Sequence, residues 1–235
     1  MRLLLISNST NAGEDFLHHP KDNICNFLGS ASVKALFVPY AGVMLSPGDY
    51  EIKVRNRFRE TGHDIISIHH FDNPGEAVEN AEAIVVGGGN TFMLAKQLHK
   101  FGLVEKIRER VLNGTPYIGW SAGANVACPT ICTTNDMPIV EPEGFGAFNL
   151  VKFQINPHYL DANPDGHAGE TREARISEYT EINRDVYVVG LREGTMLLLE
   201  NKEIRLIGSR NMRVFRYGSL PVELGPDDDA GFLLR

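Results

Sequence analysis

The 235-residue sequence contains little that would indicate a membrane, secreted or nucleic-acid-binding protein. No apolar run approaches the roughly 18 residues that a membrane-spanning helix requires. There are only three cysteines, and their spacing indicates neither a disulfide framework nor a zinc site, which favours a reducing compartment. Acidic residues outnumber basic ones, 30 to 23, and the net charge of −7 disfavours binding to nucleic acid or to an anionic membrane. We therefore expect a soluble cytoplasmic protein with neither kind of partner.

The sequence also lacks internal repeats, low-complexity segments and the two common nucleotide-binding glycine patterns. Its hydrophobic content of 43% is sufficient for a substantial core, and the linker-like stretch 138–146 is too short to separate domains. Short apolar runs alternate with helical patterns, which predicts an α/β fold whose mostly parallel sheet has helices on both faces. Short antiparallel strands near the C-terminus are expected as a small extension at one edge. We expect residues 1–235 to form one domain, and the choice between monomer and homodimer stays open.

One stretch has a recognisable chemical pattern at the end of the fifth predicted strand. Gly119-Trp120-Ser121-Ala122-Gly123 has the spacing of a nucleophile elbow, in which a sharp turn holds a serine hydroxyl clear of the sheet. The glycines allow neighbouring segments to approach closely, and the following helix directs its positive end towards the reacting oxygen. An ordinary strand-to-helix turn can carry the same short pattern, so a nucleophilic role for Ser121 depends on its surroundings.

A glycine-rich turn, Gly87-Gly88-Gly89-Asn90-Thr91, follows the fourth predicted strand. Functional groups collect at the carboxyl ends of parallel strands, so this turn is expected near Ser121. The amide of Gly88 or Gly89 would then join that of Ala122 in stabilising an oxyanion. Two alternatives stay open: the amides hold a small anion in a non-catalytic binding protein, or the glycines only permit a tight turn.

A serine nucleophile requires a base, and His158 has the best position among the eight histidines. It follows Pro157 at the end of a predicted strand, and the proline restrains the backbone just before the imidazole. His69 and His70 end another strand, so one of them could approach the site, whereas His167 falls in a turn. We expect His158 to be the base.

The third group should be a carboxylate that orients the imidazole. Glu193 ends a strand predicted at 186–191, so it is expected at the same edge of the sheet. Asp136 stays open as an alternative, because it cannot be placed from the sequence. Other downstream acids have turn or helix-start positions that explain them without catalysis: Asp161, Asp165, Glu170 and Glu173. The resulting order Ser, His, Glu differs from the order in α/β-hydrolases.

Longer strings of the sequence resemble the peptidase E family of α-aspartyl dipeptidases along nearly the whole chain. The matching strings are 3–10, 85–92, 117–125, 127–130, 133–140, 156–158 and 166–173. The resemblance implies a fold like the class I glutamine amidotransferase domain, with serine in place of that group's cysteine. It also implies a serine peptidase that hydrolyses dipeptides beginning with aspartate, with Ser121, His158 and Glu193 as nucleophile, base and acid, and with neither metal nor cofactor. The family tends to place proline before its glutamate, whereas Arg192 precedes Glu193 here.

An aspartyl substrate would bring a carboxylate into the site, so a fixed cation is expected there. Arg172 lies in a matching string and is the candidate, and Asn90 is expected to assist by hydrogen bonding. An arginine at that position could instead form ion pairs on a solvated helix face, and Arg175 serves as a comparison because its position lies outside the string. Cyanophycinase, a related hydrolase that acts on a polymer with β-linked arginine, is the competing interpretation.

Overall fold

The computed structural model describes residues 1–163, 165–166 and 168–235, so His167 lies outside the described residues. The strands are β1 (Leu3–Ile6), β2 (Lys34–Val38), β3 (Asp64–Ser67), β4 (Ile84–Val86), β5 (Tyr117–Trp120), β6 (Gln154–Tyr159), β7 (Val188–Arg192), β8 (Met196–Glu200), β9 (Glu203–Ile207), β10 (Met212–Phe215) and β11 (Val222–Leu224). The helices are α1 (Lys21–Leu28), α2 (Pro47–Arg59), α3 (Pro74–Glu79), α4 (Thr91–Lys100), α5 (Leu103–Leu112), α6 (Ala122–Asn125) and α7 (Arg172–Ile182). Single 3₁₀ turns cover Ile68–His70 and Gly231–Leu234.

Seven strands form the main sheet, in the order β3-β2-β4-β5-β1-β8-β9. The first five are parallel to their neighbours, and β8 and β9 add antiparallel pairs at one edge. The expected fold class, a mostly parallel α/β sheet with a small antiparallel extension, is therefore confirmed.

Both faces of the main sheet are covered. Leu3 and Leu5 of β1 belong to one buried cluster with residues of α3, α4 and α5. Leu4 and Ile6 belong to a second cluster with residues of α1 and α2. Because successive strand residues point to opposite faces, this division explains why β1 reads as a continuous apolar run.

A second sheet has the order β11-β10-β7-β6. In it β6 and β7 are parallel, and β10 and β11 add antiparallel pairs. The strand before Glu193 thus pairs outside the main sheet, and β10 pairs with it there instead of extending the main sheet next to β9. An apolar run predicts burial but not the partner strand, because pairing depends on segments far away in sequence.

Local sequence explains where α2 begins. At α2, the Ser46 hydroxyl accepts a hydrogen bond from the Asp49 amide and Pro47 is the first helical residue, as expected for a capped start. The C-terminal segment also contributes to the core, because Leu233 is buried. Among the described residues, no helix has the length and apolar character needed to cross a membrane.

Candidate active site

Ser121 lies at the turn between β5 and α6, with φ 54° and ψ −114°. This backbone conformation is sparsely populated for a residue with a side chain, and such strain persists only where the surroundings impose it. A Cβ on Gly119 would collide with the Gly123 carbonyl, and a Cβ on Gly123 would collide with the Val86 carbonyl. The two glycines of the pattern are therefore required by close backbone approach, as predicted.

We expect Gly123→Ala to destabilise the fold by about 3 kcal/mol, the upper part of the range for overpacking a core. The new methyl group would overlap the backbone of Val86, which is held in the central strand β4 and has little freedom to move. Urea unfolding measures the change. Gly144→Ala is the control because its Cβ would meet open space, and equal unfolding midpoints for the two variants would contradict the close-approach explanation.

Three side chains from different strand ends form one hydrogen-bonded chain. His158 Nε2 lies 2.9 Å from Ser121 Oγ, and His158 Nδ1 lies 2.7 Å from Glu193 Oε1. The His158 and Glu193 side chains are 39% and 43% exposed, so substrate and water can reach them. This order of contacts is the arrangement in which an imidazole can take a hydroxyl proton while a carboxylate fixes its orientation.

The imidazole owes its direction to an irregularity in β6. His158 has φ 53°, and the β6–β7 register shifts between Pro157 and Tyr159. A bulge of this kind re-aims one side chain without moving the rest of the strand. The Ser7 hydroxyl accepts a hydrogen bond from the His158 amide at 3.0 Å and donates one to the Leu191 carbonyl at 2.7 Å, so it joins the ends of β1, β6 and β7.

Ser7 and Asn8 contact the backbone of the candidate site, and the sequence interpretation did not single them out. Asn8 Oδ1 accepts a hydrogen bond from the Gly194 amide at 2.8 Å, which holds the turn that carries Glu193. Their position in the sequence could have identified them, since both polar residues come directly after the apolar β1. Functional groups collect at the carboxyl ends of parallel strands.

The expected oxyanion donors lie next to the serine. A Cβ on Gly88 would approach Ser121 Cβ to 2.9 Å, which places the glycine-rich turn against the nucleophile candidate. Within the described residues, the amides of Gly88, Gly89 and Ala122 donate to no backbone carbonyl, whereas those of the flanking Gly87 and Asn90 do. Unpaired amides beside a serine hydroxyl can receive negative charge that develops on a bound carbonyl oxygen.

Tyr50 of α2 holds the glycine-rich turn in place, and the sequence interpretation did not identify it either. Its hydroxyl donates to the Gly88 carbonyl at 3.0 Å and accepts from Trp120 Nε1 at 3.1 Å. Burial raises the pKa of Tyr50 far above its usual value, so the hydroxyl stays a neutral donor. Tyr50 has the helical spacing of the buried residues Val54 and Phe58, and this pattern by itself indicates only a core residue.

Arg172, the first residue of α7, lines a cavity of about 150 Å³ together with Asp136 and Asn156. Burial, reinforced by the charge of Arg175, lowers the pKa of the Arg172 guanidinium, and Asp136 opposes this shift. Within the described part of the chain, no carboxylate forms an ion pair with Arg172. The cavity thus offers a partly buried cation to an anionic ligand. The cavity wall is hydrogen-bonded to the strand of His158, because Asn135 Nδ2 donates to the Pro157 carbonyl at 2.6 Å.

Arg175, the comparison residue whose position lies outside the matching string, also lines this cavity. It lies one turn after Arg172 on α7, is 57% exposed and approaches Glu170 Oε2 at 3.9 Å. Its charge is therefore solvated and partly neutralised, in contrast to that of Arg172.

Asp136, the alternative acid, has other partners. Its Oδ2 accepts hydrogen bonds from the Thr91 amide at 2.7 Å, the Thr91 hydroxyl at 2.6 Å and the Thr134 hydroxyl at 3.2 Å. Asn90 caps α4 through Oδ1, which accepts from the Met93 amide, and its Nδ2 donates to the Met137 carbonyl. Neither residue forms a hydrogen bond with His158, and a contact between Asn90 and substrate stays a prediction.

The other histidine candidates lie elsewhere. His70 Nε2 lies 2.6 Å from Glu51 Oε2 of α2, and His69 Nδ1 lies 2.6 Å from Ser67 Oγ at the end of the edge strand β3. A cavity of about 580 Å³ lies near that edge and is lined by residues such as Phe71 and Glu76, with none of Ser121, His158, Glu193 and Arg172.

Comparison with known proteins identifies the family of this chain. The model of peptidase family S51 matches residues 3–207. A relative named Peptidase E from Nostoc sp. is 52% identical over 100% of this chain and 97% of its own length. A Peptidase E from Escherichia coli is 45% identical over 96% of this chain and 99% of its own length.

Two solved structures share the fold. A putative peptidase E protein from Listeria monocytogenes has a TM-score of 0.65 at 23% identity, covering 88% of this chain and 98% of its own. A peptidase from an acI-B1 actinobacterium has a TM-score of 0.69 at 18% identity, covering 97% and 95%. Since the family model matches most of the chain and the relatives are similar over nearly its full length, this chain belongs to peptidase family S51 and is a serine-type peptidase.

Proposed function

We propose that this peptidase hydrolyses dipeptides with an N-terminal aspartate, by way of an acyl-enzyme formed on Ser121. The observation that carries the proposal is the unbroken contact from Ser121 Oγ through His158 to Glu193. The cavity lined by Arg172 supports it, because Asn135 in the cavity wall donates to the carbonyl of Pro157, the residue directly before the base. The Peptidase E name of the relatives supports a peptidase but not this substrate range.

In the proposed reaction, His158 Nε2 accepts the proton of the Ser121 hydroxyl while the oxygen attacks the substrate carbonyl carbon. Negative charge then develops on the carbonyl oxygen, where the amides of Ala122 and Gly88 or Gly89 can stabilise it. His158 returns the proton to the departing amine, and a water molecule activated by the same imidazole hydrolyses the acyl-enzyme. Glu193 keeps the imidazole oriented and stabilises its cationic form.

Substrate choice is assigned to Arg172. A guanidinium has a planar fork that can hold both oxygens of a carboxylate, and it stays charged at working pH. The cavity of about 150 Å³ has room for one short side chain, in keeping with an aspartyl residue. Free thiols at Cys25, Cys128 and Cys132 favour a reducing compartment, so we place the reaction in the cytoplasm.

A small panel of peptides tests the proposal. Purified enzyme is assayed with Asp-Leu, Glu-Leu, Asn-Leu, Ala-Leu and a β-linked Asp-Arg dipeptide. We expect Asp-Leu to be hydrolysed with the highest kcat/KM. Preferred release of arginine from the β-linked peptide would instead support a cyanophycinase-like activity, and equal rates on Asp-Leu and Ala-Leu would contradict aspartate recognition.

We expect Arg172→Met to lower kcat/KM for Asp-Leu by about 2 kcal/mol, the low end of the cost of removing one partner of a charge pair. This corresponds to roughly 30-fold, and the low end applies because Arg172 is only partly buried. The loss for Asn-Leu should be much smaller, since its amide carries no charge. The measurement is therefore the ratio of kcat/KM for Asp-Leu to that for Asn-Leu.

Two arginines of matched exposure serve as comparisons. Arg175 lines the cavity and Arg184 does not, while both are 57% exposed and approach a glutamate. Arg175→Met should reduce the Asp-to-Asn ratio only slightly, and Arg184→Met should leave it unchanged. A ratio that survives in Arg172→Met would place the recognition cation elsewhere.

A further inference from the structure

Arg192, the last residue of β7, has an unusually complete set of partners for a side chain outside the reacting groups. Its Nε donates to Asp161 Oδ2 at 2.9 Å, and Nη2 contacts Asp161 Oδ1. Nη1 and Nη2 donate to the two Glu223 oxygens at 2.8 and 2.9 Å, and Nη1 also donates to the Asn211 carbonyl at 2.6 Å. The side chain is only 10% exposed.

These partners surround the segment that carries the base. Arg192 is paired in register with Tyr159, the residue directly after His158, and its guanidinium lies 5.5 Å from the centre of the Tyr159 ring. Asp161 comes two residues later, where the chain leaves β6. Arg192 also directly precedes Glu193. Its side chain therefore connects the end of β7, next to the acid, with the segment that follows β6, the strand of the base.

The bulge at His158 explains why such a connection matters. Pro157 pairs with Leu191 and Tyr159 pairs with Arg192, so His158 is the extra residue between two fixed pairs. Its φ of 53° is strained and persists only while both sides of the bulge are held. If the β6–β7 pairing slipped by one residue, each side chain of β6 after the slip would point to the opposite face of the sheet. The His158 imidazole would then turn away from Ser121.

We propose that Arg192 is a positioning residue that clamps Asp161 and Glu223 and thereby keeps the His158 bulge and Glu193 in register for catalysis. This inference rests on the proposed function, and it assigns Arg192 no contact with substrate. Because the fork grips two carboxylates at once, lysine could not reproduce the clamp with its single ammonium group.

Steady-state kinetics on Asp-Leu test the proposal. Arg192→Met should lower kcat by about 100-fold, a typical effect of misplacing a reacting group by roughly 1 Å. KM should change by less than about twofold, because the substitution leaves the Arg172 cavity unchanged. Binding that is equal in the ground state and the transition state is therefore retained. The rate at which a fluorophosphonate labels Ser121 should fall in parallel with kcat, and Arg192→Lys should recover only part of both.

Arg55→Met is the matched control. Arg55 also binds two carboxylates and a carbonyl, Glu51, Asp64 and the oxygen of Ile65, but it does so at the far edge of the main sheet. We expect both variants to lower the melting temperature, but only Arg192→Met to lower kcat. Wild-type kcat in a folded Arg192→Met enzyme, or an equal loss in Arg55→Met, would overturn the proposal.

A second variant keeps the test decisive if Arg192→Met does not fold. Asp161 is 57% exposed, so Asp161→Asn should fold and should still lower kcat several-fold by weakening one arm of the clamp. Unchanged kcat in Asp161→Asn would count against the proposal. The underlying function is checked separately with Ser121→Ala: if that variant is inactive while Arg192→Met and Asp161→Asn are fully active, only the role of Arg192 is wrong.

Discussion

Ser121→Ala should lower kcat for Asp-Leu by roughly six orders of magnitude, the loss found when a serine nucleophile is removed from an intact triad. The Ser121 hydroxyl is the group that His158 Nε2 approaches at 2.9 Å, and alanine leaves nothing to attack the carbonyl. Residual turnover would then depend on the amides and the Arg172 cavity alone. The fold should be unaffected, because alanine adopts the strained conformation at Ser121 at a similar cost.

The measurement combines steady-state kinetics with labelling by a fluorophosphonate and intact-mass analysis. Wild-type enzyme should gain one label, and Ser121→Ala should gain none. Ser219→Ala, a change at an exposed loop residue, is the control and should behave like the wild type in both assays. Near-normal turnover by Ser121→Ala would contradict the proposed mechanism. A wild-type enzyme that showed neither label nor turnover would favour the non-catalytic binding interpretation.

Glu193→Gln should produce the next largest effect, a fall in kcat of about 10²–10³-fold. Glutamine can keep a hydrogen bond to His158 Nδ1 but loses the charge that stabilises the imidazolium and can select the wrong tautomer. The corresponding loss for a fully buried acid is about 10⁴-fold. We expect less because the Glu193 side chain is 43% exposed, so solvent already screens its charge.

Asp136→Asn is the matched comparison, since it also converts a carboxylate near the site to its amide. Asp136 Oδ2 is bound by Thr91 and Thr134, so its charge stabilises the start of α4 and not the imidazole. We expect kcat to fall less than about tenfold. KM is free to change, because Asp136 lines the Arg172 cavity. If kcat fell more in Asp136→Asn than in Glu193→Gln, Asp136 and not Glu193 would be the acid that orients His158.

The sequence by itself determined the parts of this protein that depend on short stretches of chain. The spacing Gly119-x-Ser121-x-Gly123 identifies a strand-to-helix turn within five residues, and the capped start of α2 and the apolar spacing of α5 are local too. Alternation of apolar runs with helices was enough to indicate a covered parallel sheet, because burial on both faces leaves few polar positions in its strands.

Tertiary structure decided how distant segments meet. The apolar pattern of β7 would suit either sheet, and its pairing with β6 depends on residues far away along the chain. The sequence likewise did not show that Asn90 caps α4, or that the core residue Tyr50 fixes the glycine-rich turn. Arg192 shows the limit most clearly: its partners at 161, 211 and 223 come together only when β6, β7, β10 and β11 are assembled, since no local rule relates these positions.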